Sequence, residues 1–243
     1  MYKSKITKEE VNQMPVVVFD GKITLVDDLS KILPAIQELR KSEIVGIDTE
    51  TKPSFTRGQH HKVSLVQIST YDHCFLFRLN KIDFPAALAE FLADKNIKKV
   101  GLSLHDDFTG LNRHHRFKPD NTLDIQTIAR HYGILELGLQ KIYAIMFGRK
   151  ISKSQRLTNW ESAELTEPQQ RYAATDAWAC LQIYQQLQTE KRLTKKALEQ
   201  LMQEEALAQK ALREQQSQRS KQQQAEVPDA PADTAAISKT IEH

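Results

Sequence analysis

Cysteine is nearly absent from this 243-residue chain, which has only Cys74 and Cys180. Neither belongs to a Cys-x-x-Cys pair or to a Cys/His pattern at zinc-ligand spacing, so a zinc module and a disulfide framework are both excluded. Both sit in apolar surroundings, "HCFLF" and "AWACLQIY", and read as reduced core thiols of a cytoplasmic protein. Long hydrophobic runs are also missing. No stretch is long enough to cross a bilayer, and the N-terminal "MYKSKITKEEVNQMP" lacks the apolar centre of a secretory signal. Charge of one sign is not in surplus either: a formal net charge of +3 points to no class of partner by itself. What remains is a soluble chain whose 40% hydrophobic residues suffice for one sizeable core.

The order of patterns gives the organisation. "PVVVFDGKITLV" holds two β-branched runs around Asp20-Gly21 and predicts a hairpin. A helix follows over 27–41 and a strand over 44–50. "KVSLVQIST" and "HCFLFRLN" are two more strands, and "PAALAEFLA" is a helix with proline at its start. "IKKVGLS" reads as a strand running into a helix at "HDDFTGLNRHH"; "TLDIQTIARHYG" and "LGLQKIYAIMFG" read as short helices. The longest helix spans 166–190, with Thr166 as N-cap, Pro168 in the first turn and Gln169 completing a capping box. Grouped strands followed by alternating strands and helices predict an α/β mixed sheet covered by helices. Residues 1–190 form the main domain in this reading, 191–214 a helical extension, and the Gln-rich 215–243 a disordered tail.

Acidic residues stand where a core should be. In "EIVGIDTET", Asp48 and Glu50 share one face of a strand, because side chains at i and i+2 point the same way. The long helix carries a stripe of Tyr172, Asp176, Cys180, Ile183 and Leu187, so Asp176 needs a partner: either a basic side chain or an ion. Tyr172 lies one turn earlier on that face. In "VGLSLHDDFTGL", Asp107 lines up with Leu111 toward the packed face, whereas Asp106 lines up with Gly110 and Arg113 toward solvent and suits a cap. Four carboxylates are balanced by two divalent cations, and oxygen-only ligands suit Mg²⁺ or Mn²⁺. Two such ions ~3.5–4 Å apart form a clamp for in-line displacement at phosphorus.

These motifs resemble the DEDD superfamily of 3′–5′ exonucleases, in its tyrosine subgroup with the RNase D-type and Werner-type domains. The likeness rests on "GIDTE", "VGLSLHDDFTGL" and "YAATDAWA" with its Tyr-x-x-x-Asp, in that order, and on the flanks "RGQHHKVSLVQIS" and "LTNWESAELTEPQQRYAATDA". It implies a ribonuclease-H-like fold with a five-stranded mixed sheet, its first three strands antiparallel. It also implies Asp48, Glu50, Asp107 and Asp176 as ligands of two divalent cations, with Asp48 bridging them and Tyr172 orienting the attacking water. The implied products are nucleoside 5′-monophosphates released from a 3′ end. Thr51 stands where Werner-type members often carry tryptophan, so DNA and RNA both stay open. A nucleic-acid-binding scaffold that has lost catalysis is the alternative on the same fold.

The substrate expected is a single-stranded 3′ end, since a narrow acidic cleft admits one strand. Candidate phosphate contacts are Arg149, Lys150, Lys153 and Arg156, in an acid-free run that also includes Lys141, and Arg57, His61 and Lys62 in "TRGQHHK". A solvated face has the same composition. His114 and His115 are adjacent and diverge by about 100° on a helix, which rules out a metal pair. Trp160 reads as a packing residue, and Phe55 as a candidate wedge against a terminal base.

Overall fold

A computed structural model of the chain describes residues 2–54, 56, 58 and 61–225. The elements are α1 (Lys8–Gln13), β1 (Val16–Val17), β2 (Lys22–Val26), α2 (Ile32–Leu39), β3 (Ile44–Thr51), β4 (Val63–Ser69) and β5 (His73–Arg78). There follow α3 (Leu79–Ile82), α4 (Ala86–Leu92), β6 (Lys98–Gly101), α5 (Leu104–Leu111), β7 (Thr122–Asp124), α6 (Ile125–Ala129), α7 (Leu139–Phe147), β8 (Lys150–Ile151) and α8 (Glu167–Gln188).

The main sheet has six strands in the order β2-β5-β4-β3-β6-β7. β3, β4 and β5 are antiparallel neighbours, and β6 and β7 join in parallel on the other side of β3. That is the expected five-stranded arrangement; β2 adds a sixth strand, parallel to β5. The hairpin read at Asp20-Gly21 is not formed. β1 pairs instead with β8, placing Val16 opposite Lys150 and Val17 opposite Ile151. The reason lies on α8. Thr175 Oγ1 accepts from the Phe19 amide at 2.9 Å, and Arg171 donates to the Phe19 and Gly21 carbonyls at 3.2 and 2.9 Å. These distant side chains take backbone groups between the two strands. The segment "TLDIQTIARHYG" likewise begins as strand β7, because Asp124 caps α6 and ends the extended run.

β3 divides two packing regions. Val45 and Ile47 belong to the core shared with α2, α4 and α5, while Gly46, Asp48 and Glu50 point toward α8. A Cβ on Gly46 would lie 1.9 Å from the Ala177 carbonyl oxygen. Only glycine lets α8 approach this strand so closely, and the approach carries Asp176 to the sheet. α8 starts at the capping box read from the sequence, with Thr166 and Gln169 satisfying each other.

The chain divides into two units, residues 1–198 and 199–243. α9 (Lys195–Ala225) continues through 215–225, where the composition predicts disorder. Glutamine, alanine, lysine and arginine are good helix formers, so a segment too polar to build a core still takes helical backbone. The rest of that tail, 226–243, lies outside the described residues. Among the described residues no helix is long and apolar enough to cross a membrane.

Gly46→Ala forces α8 and β3 apart. We expect a loss of about 1–3 kcal/mol of stability, read as a drop of several degrees in Tm; an unchanged Tm contradicts the close-approach account.

Candidate active site

The site forms where β3, α5 and α8 converge. Carboxylate oxygens of Asp48, Glu50 and Asp176 lie within 4.8 Å of one another. Opposite them on β4, Gln67 is fully buried and its Nε2 donates to Asp48 Oδ2 at 3.1 Å. The β3–β4 register shifts just after Glu50, the kind of irregularity that re-aims a strand end beside a site. Tyr172, one turn before Asp176, is hydrogen-bonded to it. The buried Trp160 ring backs Tyr172 at 6.0 Å, so Trp160 packs, as read.

Asp107 reaches the site from the first turn of α5. The turn from β6 into α5 runs through Ser103 at a left-handed φ of 60°, and Asp124 Oδ2 accepts from the Leu104 amide at 2.9 Å to hold the helix start. Thr49, between Asp48 and Glu50, donates its hydroxyl to Asp107 Oδ1 at 2.5 Å. Asp107 is thus held beside the triad rather than within it, on the α5 side. Asp106 is exposed, in line with its reading as a surface or capping charge.

The electrostatics of this arrangement are unfavourable without a counter-charge. Among the described residues no lysine or arginine forms an ion pair with Asp48, Glu50, Asp107 or Asp176. Burial, then the charges of Asp176 and Asp107, push the Glu50 carboxyl up to about 9. Burial raises Asp107 and Asp176 to about 7 each; the Thr49 hydrogen bond restrains the first and the Tyr172 hydrogen bond the second. Asp48 is raised well above the carboxylate range by burial and then by Asp107, Asp176 and Glu50 in turn. The Tyr172 phenol is raised by burial and by the same acids. An all-oxygen donor set with no paired side-chain cation fits a hard divalent cation.

The basic candidates separate. Lys153 and Arg156 are exposed, and their charges reach Asp176 and Glu50 respectively. Arg149 and Lys150 are anchored to backbone instead, donating to the Val16 carbonyl at 3.3 Å and the Asn12 carbonyl at 2.5 Å. His61 and Lys62 precede β4, and the Lys62 charge acts on His114. His114 itself contacts the Val63 carbonyl at 3.0 Å. Arg57, with Phe55 and His60, lies outside the described residues. Sequence reading missed Gln67 and Thr49. Their signal was a polar side chain inside the buried run "VSLVQIS" and a hydroxyl between two acids.

A family model described as 3′–5′ exonuclease matches residues 23–192. The mouse bifunctional 3′–5′ exonuclease/ATP-dependent helicase WRN is 30% identical over 190 residues, covering 72% of this chain and 13% of that protein. The Nibbler EXO domain of Aedes aegypti superposes with a TM-score of 0.65 at 23% identity, covering 76% of this chain and 99% of that one. Trypanosoma brucei RNase D, solved in complex with RNA U12, gives a TM-score of 0.63 at 20% identity, covering 71% and 64%. At these identities the structural likenesses speak for the fold. The chain spans a small part of the mouse relative's length.

Two outcomes follow from the site. The metal-free folded protein holds protons that its unfolded chain has already released between about pH 4 and about pH 9. Its Tm should therefore fall as pH rises through that window. A millimolar divalent cation should offset the fall near pH 8 and change little near pH 5, and a metal-free Tm that rises across the window contradicts this. Separately, Gln67→Leu should weaken Mn²⁺ binding by roughly 10-fold or more in calorimetric titration. Unchanged affinity would remove Gln67 from the site.

Proposed function

Because the chain belongs to the 3′–5′ exonuclease family, we propose that it hydrolyses phosphodiester bonds at single-stranded 3′ ends of nucleic acid, releasing nucleoside 5′-monophosphates. The observation that carries this reading is the gathering of Asp48, Glu50 and Asp176 within 4.8 Å, with no side-chain cation paired to them among the described residues. In this reading two divalent cations, Mg²⁺ or Mn²⁺, are held by these three acids and Asp107. Asp48, within the acid cluster and held from β4 by Gln67, would be one of the residues that hold them. Asp107, fixed by Thr49, closes the set on the α5 side, and Asp176 closes it on the α8 side. When bound, such ions supply Lewis-acid polarisation of the phosphodiester and charge stabilisation of the leaving 3′ oxygen.

The chain's own groups do the rest. In the metal-free protein, burial and the nearby carboxylates raise the Tyr172 phenol above its ordinary range. Its place one turn before Asp176 suits it to orient the attacking water by hydrogen bonding. Lys153 and Arg156 offer positive charge beside the acids and receive the phosphates next to the scissile bond. Arg149, Lys150, His61 and Lys62 are assigned to more distant contacts, Arg149 and Lys150 in a mainly tethering role, and Arg57 is kept as a candidate phosphate contact. The RNA held by Trypanosoma brucei RNase D supports nucleic acid as the substrate class. A silent scaffold has no use for a half-buried cluster of carboxylates with no ion pair among the described residues, which supports catalysis over the binding-only alternative. Cys74 and Cys180, both buried free thiols, support a cytoplasmic setting.

End-labelled DNA and RNA oligomers test this directly. We expect stepwise shortening from the 3′ end that requires Mg²⁺ or Mn²⁺, abolished by Asp176→Ala and slowed roughly 100-fold by Tyr172→Phe. Nucleotide release that survives metal chelation, or an Asp176→Ala chain with full activity, overturns the reading.

A further inference from the structure

Two cavities lie along the β1–β8 pair, and one of them reaches Tyr172. The first, of about 320 Å³, is bordered by Tyr172, Val16, Val18, Ile151 and Pro168. The second, of about 630 Å³, is bordered by Lys8, Lys141, Lys150 and Lys153, with no acidic residue in its lining. Val16, Ile151, Ser152 and Ser154 line both, so the two cavities are neighbours along the β1–β8 pair and together make up a trough. Its near half is apolar and open: Val16 and Val18 are 45% and 49% exposed. Its far half concentrates ammonium groups. Two of these are already engaged, Lys141 by Glu136 and Lys150 by the Asn12 carbonyl. Lys8 and Lys153 form no ion pair among the described residues, and Lys153 also acts on Asp176. The trough therefore reaches the site at Tyr172.

We infer that this trough is the track for the substrate strand upstream of the scissile bond, resting on the exonuclease reading above. Bases lie against Val16 and Val18, and phosphates pass Lys153 and then Lys8. An apolar strip beside Lys8 and Lys153, which form no ion pair among the described residues, is complementary to single-stranded nucleic acid, which presents flat bases and one charge per nucleotide. The N-terminal segment thereby becomes part of the substrate surface. It is secured there by the β1–β8 pairing, by the Lys150–Asn12 contact, and by Glu136, which accepts from the Ile6 amide at 3.1 Å.

The test compares the full chain with Lys8→Glu and with the double variant Lys8→Glu/Lys153→Glu. Binding of a labelled single strand of about 12 nucleotides is measured by anisotropy without divalent cations, across a salt series. Each lysine removed should reduce the slope of log K against log[salt] by about 0.7. Lys8→Glu should also lower kcat/KM on the long strand and leave a dinucleotide substrate unaffected, with an unchanged Tm. An unaltered salt slope, or equal loss on the dinucleotide and the long strand, overturns the track while leaving nucleotide release intact. A wild-type chain that shortens no oligomer at all overturns the exonuclease reading and the track with it.

Discussion

Bringing Asp48, Glu50 and Asp176 to within 4.8 Å of one another sets carboxylates side by side in a half-buried cluster. Ionised, they repel one another strongly in that setting, and among the described residues no lysine or arginine forms an ion pair that cancels them. The cluster is therefore stable in two ways only: with protons on the carboxyl groups or with multivalent cations between them. That choice is the constraint on which the rest of the architecture depends. It explains why all four acids share a pKa raised first by burial, and why the nearest basic side chains remain exposed.

Holding such a cluster requires rigid neighbours on every side. Gly46 allows α8 against β3, so Asp176 meets the strand carboxylates. Gln67 fixes Asp48 from β4, Thr49 fixes Asp107 from within the first motif, and Trp160 backs Tyr172. Arg171 and Thr175, on the same helix as the site residues, hold the chain leading from β1 to β2. One helix thus organises both the acids and the N-terminal segment that borders the proposed track. Disturbing α8 is expected to affect metal binding and the N-terminal surface together.

Much of this was legible in the sequence. The strand periodicity at 44–50, the capping box at Thr166 and the aligned face of Tyr172 and Asp176 are local patterns, and local geometry carried them through. The choice of Asp107 over Asp106 was also local, since helical register separates the packed side from the solvent side. Non-local pairing was not legible. Nothing in "PVVVFDGKITLV" reveals that α8 will take the backbone groups between its two runs, so a hairpin was read where β1 instead pairs with β8. Gln67 and Thr49 escaped for a related reason: their roles exist only across a strand pair or between a strand and a helix. The glutamine-rich segment shows the converse, because 215–225 follows helix propensity even where composition offers no core to pack against.

The most direct test of the central claim is anomalous diffraction from crystals soaked in Mn²⁺. The account predicts density for bound ions among Asp48, Glu50, Asp107 and Asp176, with carboxylate oxygens at roughly 2.0–2.2 Å, the range of hard-cation coordination. Crystals that show no ion there under saturating Mn²⁺, with each carboxylate instead paired to a lysine or arginine, would contradict it.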